Sequence, residues 1–148
     1  MTGPKIGTTL ARVEAAEQAL GVSLPGPLRQ ALSIANRLPF ECADETWELH
    51  PVWDPDNPRR TANHLVRENA PEQRWPSMGD DLLVIAAHVN TADRLVLRIV
   101  DGVVGSEILL YDTSTNAVSD TEMDVHTLFD RAGAYAREVQ RRAARRRR

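Results

Sequence analysis

The chain has 148 residues, 42% of them hydrophobic and 26% charged, with a formal net charge of -3. That length fits one domain with one real core, and the composition is that of an ordinary globular protein. No apolar run approaches the ~20 residues of a membrane span, the first residues lack the basic-then-apolar pattern of a signal peptide, and Cys42 has no second cysteine to pair with, so the expected location is the cytoplasm, with no membrane partner.

Residues 1–7 read as a disordered start. From about Thr8, Leu10, Val13, Ala16 and Leu20 recur at helical spacing, and Gly21 stands where a C-terminal cap belongs. Val22-Ser23-Leu24-Pro25-Gly26 is a short, stiff link. Pro27 suits a first helical position, and Leu28, Ala31, Leu32 and Ala35 form a second apolar stripe, so the two helices make a hairpin or corner. Thr46 to His50 alternates weakly, as a first, edge strand would, and Pro51 ends it. Asp54-Pro55-Asp56-Asn57-Pro58 is turn chemistry, and Asn57 is placed to cap a third helix running to about Asn69. Residues 70–79 form a loop carrying Trp75 and Pro76.

Three short apolar runs follow, 82–86, 95–100 and 108–111. They are rich in branched residues and bounded by turn formers, which marks strands rather than helices. The links between them are too short for crossover helices, so the strands should pair antiparallel as a meander. Residues 117–119 are a further short strand. Asp124 can cap a closing helix whose stripe is Val125, Leu128, Phe129, Ala132, Ala136 and Val139. The expected fold is therefore α+β, a single antiparallel sheet with helices packed around it.

The closing residues shift in charge. Seven arginines stand among the last twelve residues against one acid, Glu138, while residues 1–136 hold 11 basic and 20 acidic residues, a balance of -9. An acidic body favours a basic partner; nucleic acid enters only through residues 139–148, and weakly. That arginine-rich segment reads as a solvated, partly helical end.

The segment Glu17-Gln18-Ala19-Leu20-Gly21-Val22-Ser23-Leu24-Pro25 resembles the E-x-x-L-G-x-x-L-P signature of the SUKH superfamily, which includes fungal Smi/Knr-type cell-wall regulators and many bacterial immunity proteins. The physics is visible in the residues: Gly21 supplies a left-handed cap, Leu24 folds back on the helix and Pro25 prevents its continuation. The later order is similar over roughly 8–138. Asn36 stands where the family often has Asn-Gly, although Arg37 follows it here, and 124–135 resembles the closing helix. The resemblance implies a domain over 8–138 without catalysis or cofactor. It would act by binding a protein, often the toxin domain of a polymorphic toxin system, or as a general adaptor of the same fold.

Catalytic and metal signatures are weak. The histidines, 50, 64, 88 and 126, lie far apart, without His-Glu-x-x-His, so no metal site is expected; His88 reads as a hydrogen-bonded turn residue. Asp120, Glu122 and Asp124 lack the glycine and closing glutamate of a calcium loop. Gly102-Val103-Val104-Gly105 reads as a hairpin turn, and Asp80-Asp81 as a solvated strand cap. Cys42, among Glu41, Asp44 and Glu45, is a poor nucleophile. The remaining large features are Trp47, Trp53 and Trp75. With the acids Glu41, Asp44, Glu45, Glu48, Asp54 and Asp56, Trp47 and Trp53 form the expected protein-binding segment, suited to a basic toxin face such as a nuclease site.

Overall fold

The computed structural model describes residues 6–75 and 77–146, so the expected disorder of 1–7 falls mostly outside the described residues, as does Pro76. Ile6 packs against the core, and its carbonyl accepts the Asn36 amide at 2.7 Å. Helix α1 (Leu10–Leu20) starts at Thr9, whose side chain accepts the Arg12 amide, and ends at Gly21 with φ 74°. Val13 and Ala16 are buried, but Leu10, expected in the stripe, is 58% exposed. Helix α2 (Gly26–Ile34) carries Pro27 in its first turn, and Leu28, Ala31, Leu32 and Ala35 are all buried. Each fully buried leucine contributes roughly 1.5–3 kcal/mol.

Among the described residues the sheet has seven strands, paired with one another antiparallel, in the order β1-β2-β3-β4-β6-β7 with β5 paired to β4. They are β1 (Leu38–Cys42), β2 (Glu45–Leu49), β3 (Leu82–His88), β4 (Arg94–Val100), β5 (Val103–Val104), β6 (Glu107–Asp112) and β7 (Ala117–Asp124). The expected meander is β3, β4 and β6, with β5 formed in the turn before β6. Strand β2 is not the edge: β1 lies outside it, and Pro39 there points outward on an edge strand, where a missing N–H costs no rung. The turn between β1 and β2 holds Ala43 and Asp44 at φ 53° and 61°, which matches the right-handed twist of a tight hairpin. Asp101 and Gly102 do the same between β4 and β5, at 51° and 77°.

The sheet is buried on two faces. On one, Leu83, Ile85, Leu95, Leu97 and Ile108 meet α1, α2 and helix α4 (Val125–Arg146). On the other, Leu82, Val84, Val96, Leu109 and Tyr111 meet Met78 from the loop before β3. Leu109 therefore faces away from the helices, because period-two alternation puts it opposite Ile108. The two edge strands curl toward each other: the Cys42 thiol on β1 lies beside the Thr121 hydroxyl on β7. Asp124 caps α4 by accepting the His126 and Thr127 amides. That helix continues through Arg146, so most of the segment expected as a tail is helical.

The expected third helix is reduced to α3 (Leu65–Glu68) after a series of turns over 55–63. Asp54 explains why. Its carboxylate accepts the Asp56 amide and the Asn57 side-chain amide, holding the chain in local turns. Helix α3 starts only at His64, whose Nδ1 accepts the Arg67 amide.

Candidate functional site

An apolar groove of about 500 Å³ opens between α1, the segment after β2 and α3. Ala15 and Ala16 form one wall, Val52 and Trp53 the second, and Leu65 and Val66 the third. Trp53 is 43% exposed and its ring lies 5.4 Å from that of His64. Burial, and then the neighbouring Arg67, hold the His64 imidazole below its usual pKa.

Two asparagines fix the walls. Asn36, at the end of α2, donates to the Val52 carbonyl at 2.9 Å and accepts the Val52 amide at 2.8 Å, as a neighbouring strand would. Asn69, after α3, does the same at Val84, at 2.8 and 2.7 Å. That second rung sits where the register between β3 and β4 shifts, between Val84 and Ala86. Neither asparagine has an apolar-pattern signal: Asn36 is marked only by its place in the family resemblance, and Asn69 only as a helix end. Arg12 closes the rim of the groove, 3.4 Å from Asp54 and 3.3 Å from Asp56.

The acidic segment does not form one surface. Glu41 and Asp44 are exposed around the β1–β2 hairpin. Glu45 reaches His88 at 3.2 Å, and Glu48 pairs with Arg37. Trp53, Asp54 and Asp56 lie past the other end of β2, a strand of five residues or about 16 Å. Trp47 is wholly buried: its Nε1 donates to the Cys42 carbonyl at 2.9 Å and its ring meets His88 edge-on at 4.9 Å. It belongs to the core and cannot anchor a partner. Asp54 is buried as the organiser of its turn. Of the named aromatics, Trp53 alone combines exposure with an open apolar cavity. Trp75 is 41% exposed in the loop before β3.

His88 and Asp81, weighed for chemistry, are engaged structurally. His88 Nδ1 accepts the Asn90 and Thr91 amides and shapes the turn after β3. Asp81 pairs with Arg98 at 2.9 Å. Burial pushes the Cys42 thiol up, against a smaller downward pull from the Thr121 hydroxyl. His50 is 1% exposed, and burial, with Arg94 next, holds its pKa down to about 3. Among the described residues no three His, Cys, Asp or Glu side chains stand together as a metal-binding group, and no helix is long and apolar enough to cross a membrane. Comparison with protein families, curated proteins and solved structures returned no match.

Proposed function

We propose that the chain is a SUKH-like, non-enzymatic binding domain of the immunity type, which neutralises a basic toxin domain, such as a nuclease, by covering it. The observation that carries protein binding is the groove at Trp53. A half-exposed tryptophan beside an unfilled apolar channel leaves surface that a partner's side chain can remove from water. Asn36 and Asn69 hold its walls in place, so little ordering entropy opposes association.

Two details favour the family reading. Glu17, the first residue of the motif, accepts the Leu24 amide at 2.7 Å, while Gly21 is left-handed and Leu24 buried, so three of the five fixed positions of the signature have a structural task. Arg37 adopts φ 141°, a conformation that favours glycine, at the position where the family often has the Gly of Asn-Gly.

The test is capture of the partner on the immobilised chain, identification by mass spectrometry, then titration calorimetry with Trp53→Ala and with Ala15→Arg, which fills the groove. Loss of about 30-fold or more in affinity for each is expected, the size of a true hot spot. Unchanged affinity in both folded variants would rule out the groove. Catalytic turnover by the isolated chain would rule out the non-enzymatic reading.

A further inference from the structure

The second half of α4 carries a feature that the Trp53 groove leaves unused. Val125, Leu128 and Ala132 fix the buried side of this helix, and Tyr135 is the last of its side chains packed against the core. Beyond it, Arg137, Arg141 and Arg145 follow at four-residue spacing. Each step turns about 40° and rises about 6 Å, so the three make one ridge, about 12 Å long, on the side away from the core. All three are exposed, and so are Arg142 and Arg146, each about 100° further round the helix from the ridge residue before it.

The ridge is short of counter-charge. Glu138 pairs with both Arg141 and Arg142, and among the described residues no carboxylate pairs with Arg137, Arg145 or Arg146. The nearest acid toward the start of the helix, Asp130, lies 3.8 Å from His126. Five cations over ten residues thus face solvent against one anion.

We infer that this ridge binds the phosphate backbone of duplex nucleic acid without reading its sequence. The residues decide between polyanions. A membrane-surface helix needs a broad apolar face, and here the side away from the arginines offers only Val139 and alanines. An acidic protein partner needs a buried apolar centre, and the ridge is flanked by Ala134, Gln140 and Ala144. Phosphate contact needs neither, because release of condensed counterions drives it. The acidic body limits contact to the helix, which keeps the footprint small.

The experiment is fluorescence anisotropy of a labelled 30-base-pair DNA duplex, and of an RNA duplex of equal length, with the full chain. Three neutralised phosphates give a slope of log affinity on log salt of about -2.7, so affinity should fall about 40-fold from 50 to 200 mM NaCl. The triple variant Arg137→Gln, Arg141→Gln, Arg145→Gln should bind at least tenfold more weakly at 50 mM salt. The matching Arg→Lys triple should bind like the parent, and thermal melts establish that both are folded. Trp53→Ala should leave duplex binding unchanged, which separates this result from the groove. Absence of saturable duplex binding at 50 mM salt would overturn the inference. So would equal binding by the Gln triple, or binding of polyglutamate or phosphatidylserine vesicles as tight as that of either duplex.

Discussion

Glu17 accepts the amide proton of Leu24 across 2.7 Å and lies 3.6 Å from the Arg29 guanidinium, so one carboxylate closes the corner between the first two helices. Removing it would leave a part-buried N–H without its acceptor. Glu17→Ala should therefore cost ~1–3 kcal/mol in urea denaturation. Gly21→Ala, at φ 74°, should cost about 1 kcal/mol by forcing a Cβ into the left-handed region. Full stability in both variants would mean that the corner is held by the apolar contacts of Leu24 alone.

Ile85 is wholly buried on the helical face of β3. Ile85→Ala should destabilise the chain by ~2–5 kcal/mol, the spread depending on how far the site collapses. The two tryptophans give a sharper contrast. Trp47→Ala empties the core and should cost ~3–5 kcal/mol, whereas Trp53→Ala trims a half-exposed ring and should lower the melting temperature far less. Equal losses in melting temperature would contradict the division between core and surface.

The strands and closing helix were legible in sequence because they have strong periods. Leu82 to Ala86, Leu95 to Val100 and Ile108 to Tyr111 are paired as expected, and Gly21 has the expected φ. What failed had no period. Strand β1 is only five residues with Pro39 inside it, and without that neighbour β2 reads as an edge strand. The third helix shrank because Asp54, Asn57 and Thr61 bond locally, and a capping residue followed by proline looks alike in a turn and in a helix start. The site was half legible. Trp53 was named, but composition could not tell the buried Trp47 from it. The groove also depends on Asn36 and Asn69, whose backbone partners are 16 and 15 residues away.

His50 ties stability to pH. Its pKa is lowered from 6.5 to about 3 when folded, first by burial and then by Arg94, so the unfolded chain binds the proton more tightly. This contribution is complete above about pH 6.5 and is lost as the pH falls toward 3. The slope approaches about 1.4 kcal/mol per pH unit within that window. Urea denaturation from pH 7 to 4 should show His50→Leu losing less stability than the parent as the solution is acidified. Parallel pH curves would place the proton uptake elsewhere.

The end of α4 should be dispensable for folding. Past Tyr135 none of its residues packs against the core. Removing 141–148 should leave the melting temperature nearly unchanged, and a drop of several degrees would mean that the arginines dock on the acidic body.

The curl that sets Cys42 beside Thr121 turns the lone thiol into a timer. Cys42, on β1, is 4% exposed, and among the described residues β1 and β7 share no hydrogen-bonded ladder. A thiol reagent can reach it only when that seam parts. At saturating reagent the labelling rate becomes the rate of parting, so one native cysteine measures how often the rolled sheet comes open without any engineered probe.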